Sequence, residues 1–264
     1  MARVYTVANN KGGCAKTTTA VNLGAALRLR GFDVLCIDLD AQANLTAYFG
    51  VEAVAGITMF DALKRRGVGR IAPVRALNPE GRAVDCLDVI PSTRDVAAVE
   101  VGLAQERDRL TRLRVFIDRY RDNYDVILID TPPALGLLTI SALYASDAVI
   151  IAVEPQYLAV QGLLSLRDTV RNLNDNGAAI LSERVLFTRY DGRKGLHRLT
   201  VEQVAGAGFP TFTTVIRDNV ALGEAPAVGM DIYRYNKRSR GAQDYAALAD
   251  ELITTDKLKH YKHQ

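Results

Sequence analysis

Apolar residues in this 264-residue chain gather in short solid blocks, separated by stretches where they recur every third or fourth position. Residues 4–8, 33–38, 125–130, 148–153 and 185–188 are such blocks, rich in Val, Ile and Leu. Continuous apolar runs of that length mark strands covered on both faces. Residues 211–216 read as a further strand and 87–91 as a weaker one. Helical spacing begins at Lys16, where Ala20, Leu23, Leu27 and Arg30 share one face and Gly31 supplies the stop. The same periodicity predicts helices over 99–121, 137–145, 158–173 and 241–253. Strands alternating with helices predict an α/β chain: a mostly parallel, twisted sheet flanked by helices on both faces. Neither repeat nor long linker divides it, so a single domain over 1–264 is expected, with the polar tail 254–264 frayed.

Composition adds limits. The chain is 48% hydrophobic and 24% charged, enough for one large core. No apolar run reaches the length of a bilayer span, and no charged leader precedes an apolar stretch, so stable membrane association is not expected and a cytoplasmic location is. Nothing ahead of the first strand reads as an operator-binding helical extension. Cys14, Cys36 and Cys86 form no CxxC pair, which predicts neither a disulfide framework nor a zinc site and fits a reducing compartment. Net charge is +3. Basic residues cluster at 64–70, 107–121 and 235–240, as solvated surface or as a footprint for nucleic acid.

Ligands of such sheets bind at the carboxyl ends of the strands, and three chemically loaded loops fall there. Asn10-Lys11-Gly12-Gly13-Cys14-Ala15-Lys16-Thr17-Thr18 joins the first strand to the first helix. Glycines let successive N–H groups turn inward on a phosphate, and the helix N-terminus adds its own free N–H groups. Lys16 is then placed for the β- and γ-phosphates and the Thr17 hydroxyl for Mg²⁺. A turn with incidental lysines is the bland alternative, and the strand-loop-helix setting weighs against it. Asp38 and Asp40 end the second block with the spacing that points two strand side chains the same way. One can hold metal-bound water while the other orients an attacking water. The third block ends in Asp130, followed by Thr131-Pro132-Pro133.

The first loop misses GxxxxGK[ST], with Asn10 and Ala15 at the outer glycine positions. Lys11-Gly12-Gly13-Cys14-Ala15-Lys16-Thr17 resembles instead the deviant Walker A motif of the ParA/MinD family. The resemblance implies a P-loop NTPase fold, ATP and Mg²⁺ as cofactors, slow ATP hydrolysis and an ATP-bound sandwich homodimer. Gly12, Gly13, Cys14, Ala15, Lys16, Thr17 and Thr18 are the expected phosphate contacts. Lys11 corresponds to the signature lysine that reaches the partner's nucleotide, and Lys11, Lys16 and Asp40 are the expected catalytic set. Asp38-Leu39-Asp40-Ala41-Gln42-Ala43-Asn44 resembles the family's DxDPQGN, giving Asp40 the hydrolytic role and Asp38 a supporting one at Mg²⁺ beside Thr17 and Asp130. Residues 126–133 resemble a Walker B strand and 135–139 switch II.

Resemblance continues through Thr188-Arg189-Tyr190-Asp191-Gly192-Arg193 (TxYDxR), 214–226 (TVIPRNVRLSEAP) and 235–242 (YDPxSRGA). It places adenine near Asn219 and Pro226. It places non-specific double-stranded DNA near Arg193, Lys194, Arg217, Lys237, Arg238 and Arg240. Arg217-Asp218 stands where the family has Pro-Arg, and Ala221 where it has an arginine. The family's work is DNA partitioning on the nucleoid, with a ParB-like partner stimulating turnover. Three alternatives stay open at this point: a MinD-like membrane-associated regulator, a metabolic member of the superfamily, and nucleotide binding without turnover.

Overall fold

The computed structural model describes residues 1–64, 71–78, 80–157 and 159–260. Among these, seven strands form one sheet: β1 (Arg3–Ala8), β2 (Val34–Asp38), β3 (Val74–Leu77), β4 (Ala83–Ile90), β5 (Val126–Asp130), β6 (Ala148–Val153) and β7 (Ser182–Phe187). Their order is β3-β4-β2-β5-β1-β6-β7, parallel throughout except for the β3–β4 pair at one edge. Every residue of β2, β5 and β6 is buried, which is why these segments read as unbroken apolar blocks.

Helices cover both faces. They are α1 (Lys16–Arg28), α2 (Asn44–Tyr48), α3 (Met59–Lys64), α4 (Val96–Leu103), α5 (Arg112–Ile117), α6 (Leu137–Ala145), α7 (Ala159–Asp175), α8 (Gly195–Gly206), α9 (Val220–Glu224), α10 (Ile232–Asn236) and α11 (Arg240–Asp256). On one face Leu23 and Leu27 of α1 pack with Val34, Leu128 and Tyr245, all fully buried. On the other, Leu35, Ile37, Ile127 and Ile129 meet Phe116, Ile117 and Leu138. Burying each such side chain contributes about 1.5–3 kcal/mol. Gly24 sets the spacing of α1 from the sheet, because a Cβ there would come within 3.0 Å of Cys36 Sγ.

Three expectations are corrected and one is extended. Residues 211–216 form no strand. They touch β7 through Phe212 N–H to Val185 O (2.9 Å) and Ile216 N–H to Phe187 O (2.8 Å). Between these contacts the Thr213 and Thr214 N–H groups donate to the Glu251 carboxylate instead. The helix expected over 99–121 is broken into α4 and α5. The buried Arg112 guanidinium turns back to Asp108 (2.6 Å) and to the Leu63 carbonyl (3.0 Å). The weak strand at 87–91 is the end of an eight-residue β4. The expected frayed tail starts inside α11, and beyond it His260 stacks on Phe32 with ring centroids 4.0 Å apart.

The basic stretch at 107–121 is partly internal architecture: Arg112 is 4% exposed and Arg121 pairs with Asp118 and Asp147, whereas Arg107 and Arg109 are exposed. Of the cluster at 64–70, residues 65–70 lie outside the described residues, as does Leu158 at the expected start of α7.

Candidate nucleotide-binding site

The carboxyl ends of β1, β2 and β5 open on a cavity of about 780 Å³, a size suited to one nucleotide. Gly12, Gly13, Ala15, Lys16, Thr17 and Thr18 form its floor, between the end of β1 and the first turn of α1. Lys16 is 7% exposed, and its Nζ donates to the Lys11 carbonyl at 3.1 Å. A second, long contact runs to Cys14 Sγ at 4.0 Å, and an ammonium carries three donors, so one remains for an anion. Cys14 does not line the cavity. Its thiol is buried, with Sγ 3.2 Å from the Lys11 carbonyl, and burial pushes its pKa up. The Thr188 hydroxyl donates to the Cys14 carbonyl at 3.0 Å, tying the loop to the end of β7.

Two of the departures from the family motifs have a backbone consequence. Ala15 sits at φ 65° and Ala43 at φ 53°, both left-handed. A Cβ there costs about 1–2 kcal/mol, and glycine recovers part of it after its larger unfolded-state entropy. Ala15→Gly should therefore stabilise the chain by about 0.5–1 kcal/mol in urea titration, and destabilisation would contradict the strain reading.

The acidic groups divide the work. Asp38 and Asp130 are adjacent in register on β2 and β5, and both are fully buried. The Asp38 carboxylate accepts from Asp40 N–H (3.0 Å), Thr46 N–H (2.9 Å) and the Thr46 hydroxyl (2.8 Å). Burial lifts its pKa to about 6 against those bonds. Asp38, like Asp130, lies behind the cavity lining, but both its carboxylate oxygens already accept hydrogen bonds from Asp40 and Thr46, so its expected support of Mg²⁺ is through the turn that carries Asp40. Asp40 does line the cavity, with one oxygen accepting from Gln42 N–H at 3.0 Å.

Asp130 is different. Neither carboxylate oxygen has a partner at full hydrogen-bonding geometry among the described residues, although the Thr17 hydroxyl stands near enough to act on it. Burial and the neighbouring Asp38 raise its pKa well above the ordinary carboxylate value, while Thr17 and Lys16 pull it down. A buried unpartnered carboxylate is costly. A divalent cation or its water, beside the Thr17 hydroxyl and the Lys16 ammonium, would relieve that cost. The residues present therefore fit Mg²⁺ with a phosphate-bearing ligand.

The far end of the cavity is built by Arg189, Ile216, Arg217, Asp218, Asn219, Val220, Leu222, Gly223, Glu224 and Tyr245. Asn219 is brought there as expected, and its buried Oδ1 has no partner among the described residues. Pro226 lies in the 3-10 turn Ala225–Val228 outside the lining, which in this segment ends at Glu224, the last residue of α9. Arg217 was expected on a DNA surface. It stands instead in the cavity wall, with its guanidinium clamped by Asp244 at 2.6 Å. Sequence reasoning missed Arg189, Asp218 and Tyr245. The only local hint was that their neighbours, Thr188 and Asn219, sat in recognisable segments.

Lys11 points elsewhere. It is exposed, bonds to Gln156 Oε1 and lines a second, smaller cavity with Asn9, Asn10, Glu154 and Tyr157. Arg193 and Lys194 lie exposed just before α8, and Arg193 pairs with Asp191 at 3.0 Å. Lys237 and Arg238 are exposed between α10 and α11, and Arg240 is exposed at the first position of α11.

A family model described as an AAA domain matches residues 2–182, the part that carries all three strand-end loops. The sporulation initiation inhibitor protein Soj of Bacillus subtilis is 40% identical over 255 residues, covering 96% of this chain and 98% of that protein. The chain belongs to the ParA/Soj family of partitioning ATPases. The chromosome partitioning protein ParA of Caulobacter vibrioides is 35% identical, covering 98% of this chain and 97% of its own. Among solved structures, cobyrinic acid a,c-diamide synthase from Mycobacterium smegmatis, with bound ADP and magnesium, superposes with a TM-score of 0.81 at 30% identity. It covers 97% of this chain and 96% of that one. The P-loop architecture predicted from the sequence is thus that of the ParA/Soj family and its structural neighbours. No helix among the described residues is long and apolar enough to cross a membrane.

Proposed function

We propose that this chain is an ATP-driven DNA-partitioning ATPase. The observation that carries the reading is the buried, unpartnered Asp130 carboxylate facing the Lys16–Thr17 end of the phosphate loop. In this reading Lys16, Thr17, Thr18 and the Gly12–Gly13 backbone hold the triphosphate, and Asn219 faces adenine. Thr17 and Asp130 hold Mg²⁺, which when bound neutralises phosphate charge. Asp38 acts one step back. It fixes the Asp40 turn and, as a neighbouring acid, adds to the upward shift of the Asp130 pKa. Asp40 lies in the cavity beside the phosphate floor, where a carboxylate can orient a water.

ATP occupancy is coupled to dimerisation by Lys11, which supplies its ammonium to the partner's nucleotide. The dimer carries Arg193, Lys194, Lys237, Arg238 and Arg240 onto duplex DNA without sequence preference, and hydrolysis releases it. Arg217 is left out of this set by its Asp244 clamp. A ParB-like partner accelerates turnover, and the protein works on the nucleoid in the cytoplasm. Support comes from the exposure of these cations and from family membership.

The test is retention of random-sequence duplex DNA with ATP, with ADP and without nucleotide. Binding should appear with ATP only. It should weaken steeply with salt, as phosphate contacts release counterions. Replacing Arg238 and Arg240 together by alanine should lower the salt slope by about 2 for each subunit engaged. Equal binding in all three nucleotide conditions would contradict the ATP-gated reading.

A further inference from the structure

Helix α6 begins immediately after the 131–136 loop, and its N-terminus is capped from outside. Its N-cap position is Gly136, which has no side chain to accept from the first turn. Leu138 is 2% exposed, so its backbone N–H needs a partner within the protein. That partner is Glu100 Oε1, on α4, at 3.4 Å. The carboxylate approaches so closely that a Cβ at Gly136 would fall on Glu100 Oε1. The absent side chain at 136 and the acid at 100 therefore form one device: a carboxylate borrowed from a neighbouring helix at the positive end of α6.

The loop behind this cap faces the nucleotide cavity. Asp130 ends β5, Thr131 and Pro133 line the cavity, and Pro133 lies against the Gly12 backbone. At its start the loop is pinned by the Thr131 hydroxyl on the Val7 carbonyl at 2.8 Å. The Thr139 hydroxyl folds the loop back through the Ala134 carbonyl at 2.6 Å. Glu100 closes the other end.

We propose that Glu100 is a positioning residue for ATP hydrolysis: by capping α6 through the space left at Gly136, it holds the 131–136 loop in register against the phosphate-binding loop. The inference rests on the nucleotide reading above and adds a residue remote from the nucleotide itself. Glu100 touches no part of the cavity lining, so its loss acts on loop geometry rather than on ground-state binding.

Three variants separate this from a merely structural role. Glu100→Ala removes the carboxylate. Gly136→Ala keeps it but displaces it with a methyl. Glu100→Gln keeps an acceptor oxygen at the same reach. Glu100→Ala and Gly136→Ala should each lower kcat about tenfold with KM for ATP within about twofold, whereas Glu100→Gln should stay within about threefold of wild type. Hydrogen exchange at the Leu138 amide of the nucleotide-free protein should speed up at least about tenfold in the two alanine variants, independently of any turnover. Unchanged exchange at Leu138, or an unchanged kcat beside a wild type that hydrolyses ATP, would overturn this inference and leave the nucleotide site standing. A wild type that neither binds nor hydrolyses ATP would overturn the site reading, and the role of Glu100 with it.

Discussion

Asparagine at position 130 should raise the melting temperature of the nucleotide-free protein and remove most of its response to Mg²⁺. Asp130 ends a fully buried strand, has no partner at full hydrogen-bonding geometry among the described residues and stands beside a second buried carboxylate. Ionising it inside the fold is unfavourable, and an amide of the same shape carries no charge. Removing the charge is worth about 1.4 kcal/mol for each pKa unit by which the fold disfavours ionisation, and 1 kcal/mol moves the midpoint of a chain of this size about 2–4 °C. The cost appears on the other side of the ledger: without the carboxylate, Mg²⁺ affinity in the presence of nucleotide should fall about 10–100-fold.

The pH dependence follows from the same pair. Asp38 and Asp130 both have raised pKa values in the folded chain, to about 6 for Asp38. A raised acid favours the fold while it is protonated, so its contribution is full below the unfolded value near 4 and is lost as pH rises through the folded value. Nucleotide-free wild type should lose this contribution between about pH 4 and 6 and above, and Asp130→Asn should flatten the loss. Thermal scans with and without Mg²⁺ and ATP, repeated at pH 5 and 7.5, check both statements. A variant less stable than wild type without nucleotide, with Mg²⁺ dependence intact, would contradict them.

Lys11→Ala should leave nucleotide binding to the monomer nearly unchanged and abolish ATP-dependent dimerisation. Both parts follow from where the side chain stands. Lys11 Nζ reaches Gln156 on the outer side of the loop and does not line its own chain's cavity, whereas Lys16 is buried within it. A lysine that serves the partner's phosphates acts twice in a symmetric pair. At about 1.5–3 kcal/mol for each charge-assisted bond, its removal should weaken the dimer about 10²–10⁴-fold. Sedimentation with ATP should show two chains for wild type and one for Lys11→Ala at the same concentration. Nucleotide affinity should shift less than about threefold, as nothing in the monomer's cavity is lost. Dimers in both, or a large loss of nucleotide affinity in the variant, would remove the trans role.

Much of the architecture was legible because the central strands are buried on both faces. Such strands leave a solid apolar signature, and β2, β5 and β6 were read within a residue of their ends. The phosphate loop was legible because its chemistry is local: glycines, lysine and threonine act within one turn of chain. What failed depended on distant partners. Residues 211–216 look like a strand until Glu251, far along the chain, takes two of their N–H groups. The helix over 99–121 looks continuous until Arg112 folds back on Asp108 and Leu63. The edge strand β3 is short and only half-buried, so it lacks the apolar block; the turn residues Asn78 and Gly81 were its only signal.

The site divides the same way. Lys16, Thr17, Asp40 and Asp130 meet in space as their loops predicted, because each ends or follows a central strand. Asp38 could not be placed from spacing alone. Whether it or Asp40 faces the cavity is settled by Thr46, which binds Asp38 from eight residues away. The base end was least legible, since the Arg217–Asp244 clamp joins two segments with no shared pattern in the sequence.

The most direct test of the central claim is a crystal structure with Mg²⁺ and a non-hydrolysable ATP analogue. The account predicts triphosphate density against the Gly12–Thr17 amides, with Lys16 Nζ on its terminal oxygens and the metal between the Thr17 hydroxyl and Asp130. Density for the analogue anywhere else, or none at saturating concentration, would contradict it.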